Sequence, residues 1–504
     1  MNTIRVYGTF FVQAVTVQAA FGSSPGLTIY NQGFAVVRDS VPLDLRAGAN
    51  EIRFTNTTAH LEPDSVILRD PAGKHTIQII EQNFRGDPVS QPLLLQLHEG
   101  KNIDFLVERQ GQPQEIVSGK LIRAPYVVHP AGLQRYGREY YQTQMARGYP
   151  QSTENSPIVE VNGKLRFSLP GQPLFPPLSD DAILKPTLDW ILETDASGKF
   201  EAELAYVTGG MSWEADYNVV SPADSDKLDI VGWVTMDNQS GKTFENARIK
   251  LMAGDVNKLR TDDSFGLSRA RGPAAGQLPP VTEKAFDEYH LYTLERPSTL
   301  HDRETKQVEF VRANGVLSQR IYVYDGAKID SQSYQTYSME SIRDRSDYGT
   351  QCNPKVWVMK EFINSTANHL GISLPRGQLR FYRCGDDGLL EFTGENMIDH
   401  TPTDEKIRVY TGNAFDLVGE RRRINFTSYS SRHRIDESFE IKLRNHKKEA
   451  VMIRVVERLY RWYTWEMTDK SLPFEKLDAQ TIEFRLNLPA GEETTITYNV
   501  RYTW

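Results

Sequence analysis

The chain has 504 residues, of which 39% are apolar and 25% charged, with ordinary glycine and proline totals. That composition excludes disordered, collagen-like and disulfide-dense classes, and the length exceeds the roughly 250–300 residues at which one hydrophobic core stops growing, so several domains are expected. A net charge of -8 and an acidic pI argue against a general nucleic-acid binder, which needs a basic face to neutralise phosphates.

At the start of the chain, Arg5 precedes a mostly apolar stretch over 6–17, and Val17-Gln18-Ala19 offers small residues before Ala20. Residues 1–19 therefore read as a secretory signal, with an ordinary first strand as the competing reading. The stretch is shorter than the ~20 apolar residues needed to cross a bilayer, and no later segment comes close, so no transmembrane segment is expected in the mature chain.

Residues 20–125 are expected to form an N-terminal β-sandwich. Val41, Leu43 and Leu45 alternate with polar residues up to Ala47-Gly48, and the alternation resumes at Ile52 and Phe54, the period-two signature of strand, turn and strand. His98-Glu99 begins like a zinc-protease motif, but the second histidine at helical spacing is missing. Residues 126–156 read as a linker with one short helix over 134–146, and 142–156 is polar and punctuated by Gly and Pro.

A central β-rich region is expected over 157–430. Within it 228–236 and 247–251 read as strands around the turn Asn238-Gln239-Ser240-Gly241, and 255–280 as a mobile insertion. Asp224, Asp226 and Asp229, and the pair Asp386-Asp387, are oxygen donors of the type that Ca²⁺ takes, but neither group has the full pattern of a calcium loop, so solvated turns and no metal site are expected. Residues 379–383 and 389–392 flank Gly385-Asp386-Asp387-Gly388, a strong hairpin signal because Gly and Asp tolerate positive φ. Cys352 and Cys384 are the two cysteines; a disulfide between them is one expectation and a pair of buried free thiols the other. Arg421-Arg422-Arg423 beside Glu420 reads as a solvated strand end.

Residues 431–504 carry the clearest strand signals and are expected to form a C-terminal β-sandwich. Phe439, Ile441 and Leu443 alternate with charged residues, as do Val451, Ile453 and Val455, then Ile482 to Leu488, and finally Ile496 to Trp504. Four such strands suffice for one sheet of a sandwich. Between them, Tyr460-Arg461-Trp462-Tyr463-Thr464-Trp465 places rings on both faces of an expected strand. Tyr460, Trp462 and Trp465 are the candidate ligand-binding residues, because aromatic faces stack on sugar rings; core packing is the competing role for them.

From about Pro157 onward several phrases form a set. They include Val159-Glu160-Val161-Asn162-Gly163-Lys164, Lys185-Pro186-Thr187-Leu188-Asp189-Trp190, Gly210-Met211-Ser212-Trp213-Glu214-Ala215-Asp216-Tyr217, Phe392-Thr393-Gly394-Glu395-Asn396 and Gly412-Asn413-Ala414-Phe415-Asp416. In these the chain resembles a family of bacterial proteins defined by domain of unknown function 4139. The resemblance implies β-rich domains, frequent export and no established reaction, so no catalytic residue is carried over. Some members of the family have a long coiled-coil insertion, and no heptad run of that kind is present here.

No G-x-S-x-G elbow, phosphate loop, dinucleotide fingerprint or H-E-x-x-H helix occurs, so neither a catalytic residue nor a cofactor is expected. The fold expected is mainly β, with several antiparallel, immunoglobulin-like β-sandwich domains in series and little helix. The function expected is that of an exported, non-catalytic binding or structural module of the cell envelope, whose partner is an unknown protein or a surface polymer. The alternative is a hydrolase acting on a glycan or peptide with paired carboxylates in an interdomain cleft.

Overall fold

A computed structural model describes residues 15–17, 24–86, 89–108, 113–125, 127, 142, 156–177, 183–222, 225–254, 256, 258, 281–286, 289–327 and 345–504. Apart from isolated positions, the helix expected at 134–146, the linker at 142–156 and the insertion at 255–280 lie outside these residues. So does the expected signal, except for Val15–Val17, a short strand paired in parallel with Gly48–Phe54.

The fold is mainly β and is built from several separate sheets. Two compact units account for it, the first made from residues within 1–213, 235–269 and 280–307, the second from 214–234, 270–279 and 308–504. In the first unit, the two strands read around Ala47-Gly48 form as expected, as Phe34–Leu45 and Gly48–Phe54. They do not pair with each other. Phe34–Leu45 pairs with Gly198–Gly209 in an eight-stranded sheet, and Gly48–Phe54 pairs with Thr187–Thr194 in a four-stranded one. Leu45 lies opposite Gly198 and Gly48 opposite Thr194, so both chains step from one sheet to the other side by side. A φ of +92° at Gly48 makes that step possible, a conformation β-carbons resist. A five-stranded sheet with the helix Gln91–Leu97 has its own small core of Leu95, Ile103, Phe105, Leu121 and Val159.

The second unit holds most of a five-stranded sheet, in which the expected hairpin forms. Gly377–Cys384 pairs antiparallel with Leu390–Ile398, and Gly388 turns the chain at a φ of +79°. Its larger sheet has nine strands. In chain order these are β1 Ser318–Asp325, β2 Lys355–Ile363, β3 Lys406–Tyr429, β4 Arg434–Asn445, β5 Val451–Arg458, β6 Trp465–Lys470, β7 Phe474–Lys476, β8 Thr481–Leu488 and β9 Glu493–Thr503. In space they run β6-β9-β4-β3-β2-β1-β5-β8-β7. The β1–β5 pair is parallel and the others are antiparallel.

This sheet folds over on itself. Consecutive strands β4 and β5 lie in opposite halves of it, as do β8 and β9. Asn445 ties the two crossings together, its amide donating to Glu449 O, Leu488 O and Pro489 O. The inward faces then meet: Phe439, Ile441, Leu443, Ile496, Tyr498 and Val500 from one half pack with Ile453, Val455, Ile482, Phe484 and Leu486 from the other. The Phe484 and Tyr498 ring centroids are 5.9 Å apart. The alternation of these strands builds this interior: their apolar residues face it, and most of the charged residues between them face water. The boundary expected at 430/431 falls inside this sheet, where β3 and β4 pair from Leu417 opposite Asn445 to Tyr429 opposite Arg434. Residues 431–504 therefore share one core with β1 to β3.

Candidate functional site

The most unusual chemistry in the chain lies inside the nine-stranded sheet. Alternation along β3 turns Arg421 and Arg423 inward and Arg422 outward, so the arginine run is not a solvated strand end. Arg421 is 3% exposed, while Arg422 reaches Glu440 at the surface. On β4 and β5 the inward positions next to Phe439 and Val455 are Glu437 and Glu457, at 1% and 0% exposure. Arg421 Nε lies 2.9 Å from Glu457 Oε1, Arg423 Nη1 lies 3.1 Å from Glu437 Oε1, and Arg461 Nε lies 2.9 Å from Glu437 Oε2. Burying ions costs several kcal/mol each unless they are paired and hydrogen-bonded; Arg421–Glu457 and Arg423–Glu437 meet both conditions, whereas Arg461 Nε and Glu437 Oε2 are paired without a hydrogen bond between them.

Tyrosines complete the network. The Tyr498 hydroxyl donates to Glu457, the Tyr460 hydroxyl donates to Tyr348 O at 3.1 Å, and Arg421 Nη1 donates to Gly349 O at 2.8 Å. Burial, reinforced by the Glu457 charge, holds the Tyr498 hydroxyl well above its ordinary range, and burial does the same to Tyr460. For Arg421 burial opposes the charge, but Glu457 and Tyr498 outweigh it and the guanidinium is firmly protonated. The Arg421 guanidinium also stacks 4.1 Å over the Phe439 ring, and that of Arg461 4.7 Å over Phe426.

Above this network the chain makes an irregular turn through 459–464, where a strand was expected. Leu459 N–H donates to Gln480 O, Arg461 Nη1 donates to Arg345 O at 2.8 Å, and Thr503 N–H donates to Thr464 O. These bonds hold the turn open and separate the three candidate rings. Tyr460 is buried, with its edge on Tyr348. Trp465, the first residue of β6, packs near Phe474, and its indole N–H donates to Ala479 O at 2.8 Å. Trp462 lies at the rim, stacked on Tyr463 with centroids 4.7 Å apart. Tyr463 is 65% exposed. Trp504 lies 6.4 Å from Trp462, and His433 lies 6.0 Å from Trp504. Trp462 and Trp465 are alike partly buried against the core of the sheet, Tyr460 is buried, and the surroundings of Trp462 add Tyr463, Trp504 and His433. The last two come from strand ends far from the run in sequence, which is why its spacing did not reveal them.

Cys352 and Cys384 are free thiols and form no disulfide. Cys352 accepts the Arg421 backbone N–H at 3.1 Å beside the large sheet, whereas Cys384 ends a strand of the five-stranded sheet. Asp226 does not gather oxygens; it accepts Arg320 Nη2 at 2.7 Å and Lys360 Nζ at 2.8 Å. Asp229, in the strand Leu228–Asn238, accepts Gly315 N–H, Asp387 accepts Leu389 N–H within its turn, and Asp224 lies outside the described residues. Among the described residues no group of three or more His, Cys, Asp or Glu side chains is placed to hold a metal ion. Nor is any helix among them long and apolar enough to cross a membrane.

No protein-family model matches the chain, and no curated protein matches it either.

Proposed function

We propose that this chain is an exported, non-catalytic binding module of the cell envelope, and that it takes a surface polymer on the rim formed by Trp462, Tyr463, Trp504 and His433. The observation that carries the reading is the stack of the exposed Tyr463 on the partly buried Trp462, continued by Trp504 and held on a turn anchored at Leu459, Arg461 and Thr464. Rigid aromatic faces at a wet surface stack on the apolar faces of sugar rings at little entropic cost. The ion pairing of Glu437 and Glu457 with arginines supports binding over hydrolysis, because a general acid or base needs a carboxyl within reach of substrate and poised near the working pH. The phrases resembling the domain-of-unknown-function proteins point in the same direction, towards export without an established reaction.

The test is sedimentation of the protein with insoluble cell-wall polysaccharide, together with tryptophan-fluorescence titration by soluble fragments. Trp462→Ala and Tyr463→Ala are each expected to weaken binding roughly tenfold, the loss typical of a central aromatic anchor. Trp465→Phe, a change at a packing ring, is expected to leave it unaltered. Equal binding by all three variants, or no binding by the parent chain, would overturn the proposal.

A further inference from the structure

A second feature of the nine-stranded sheet lies where β1 begins, β2 ends and β3 begins. Ser318 is opposite Phe362, and Ile363 is opposite Lys406. Together with the turn at 365–368 these ends enclose a groove of about 450 Å³. Its apolar lining is Leu317, Ile363 and Ala367, and its charged lining is Glu361 and Lys406, while the side chain of Phe362 is buried on the opposite face of the strand. The groove is preformed: Asn368 Oδ1 accepts Leu317 N–H at 2.7 Å, and its amide donates to Leu317 O at 3.1 Å and Ile363 O at 3.0 Å. Both strand ends are thus pinned to one side chain.

Two properties of the lining specify an occupant. Leu317 is 63% exposed and Ile363 46%, adjacent aliphatic side chains whose area an apolar ligand would remove from water. The charge is also unbalanced. Glu361 accepts Arg408 at 2.7 Å and Lys406 at 3.3 Å, two cations on one carboxylate. On the other face of the same strands Asp226 likewise holds both Arg320 and Lys360. Lys406 is 55% exposed at the mouth of the groove, with an ammonium able to take a second anion.

We propose that this groove binds a small amphipathic carboxylate, its acyl tail lying along Leu317, Ile363 and Ala367 and its carboxylate on Lys406 Nζ. The volume falls within the 300–1,000 Å³ range of small-molecule sites, and each tail methylene removed from water favours binding, so a medium-length unbranched chain uses the groove best. None of these residues belongs to the aromatic rim, so the two proposals succeed or fail separately.

Isothermal titration of the full chain with decanoate, below its micellar concentration, tests this, with decanol and acetate as controls lacking the charge or the tail. Decanoate is expected to bind at one saturable site, and decanol and acetate roughly tenfold more weakly or worse. Leu317→Asp, at an exposed position, is expected to weaken decanoate binding by at least about tenfold while the melting temperature holds, and Lys406→Gln to weaken it as much with a modest fall in melting temperature from the lost pair with Glu361. The proposal is overturned if decanoate does not bind, if decanol binds equally well, or if either variant binds decanoate like the parent.

Discussion

Glu437 and Glu457 sit in phase with the apolar residues of β4 and β5, at positions where alternation calls for a hydrophobe. A charge tolerated there must have its counter-charge waiting, and Arg421, Arg423 and Arg461 supply it. The pairing is worth less as stability than as a constraint, because the desolvation cost offsets most of the attraction. Removing one partner is another matter. Glu457→Gln strands the Arg421 charge in the core and is expected to cost about 3–5 kcal/mol in urea unfolding. The double change Arg421→Met with Glu457→Leu is expected to be less destabilising than Glu457→Gln alone; a double variant as unstable as the single would show that the pair is net stabilising. An out-of-place Glu on an amphipathic strand is legible in a sequence, but the identity of its partner is not, since Arg421 and Glu457 meet only after the sheet has folded over.

At the level of elements, the turn at 459–464 is controlled from a distant loop. Gly349 has a φ of +70° and offers its carbonyl to Arg421, and a β-carbon there would overlap the Tyr460 hydroxyl. Gly349→Ala therefore combines backbone strain with a clash and is expected to cost about 2–4 kcal/mol. Gly491 has nearly the same φ, +71°, but nothing within 4 Å of an added β-carbon, so Gly491→Ala is expected to show the strain alone, about 1–2 kcal/mol. Equal losses by thermal unfolding would mean that the Tyr460 contact yields freely. Strand identity follows from local alternation, and the strands read around Ala47-Gly48, Gly385-Gly388 and Pro489-Gly491 all form. Their pairing is less local. Only at Gly385-Gly388 do the flanking strands pair with each other; at the other two turns the chain passes from one sheet, or one half of a sheet, to another.

At the scale of the whole molecule, ion pairing sets the response to acid. Burial raises the carboxyl of Asp226, but Lys360 and Arg320 more than reverse this and hold it below the ordinary value; Arg408 and Lys406 do the same for Glu361, and Arg434 with Arg501 lowers Asp436. A depressed carboxyl lends stability that is present above its unfolded pKa and is lost as the pH falls through the folded one. Asp325 has the opposite sign: burial raises it despite Arg458, so it detracts from stability once ionised. Asp70, Glu304, Glu309, Asp347 and Asp478 are lowered too, so among the described residues eight lowered carboxyls stand against one raised, which predicts that the urea midpoint falls steadily as the pH drops below about 5, and a midpoint that rose in that range would contradict the pairing. What the sequence by itself determined is a long, mainly β chain, with the positions of those strands whose alternation is strict, because side-chain alternation is a local property of the backbone. The tertiary structure alone decided that strands within 318–363 and 406–429 share one sheet with those of 434–503, that the cysteines stay free, that Tyr460 is buried, and that Trp504 and His433 come near Trp462. Those outcomes depend on which strands become neighbours, and that choice is made by burying apolar faces between segments far apart in the chain, a condition no short window of residues contains.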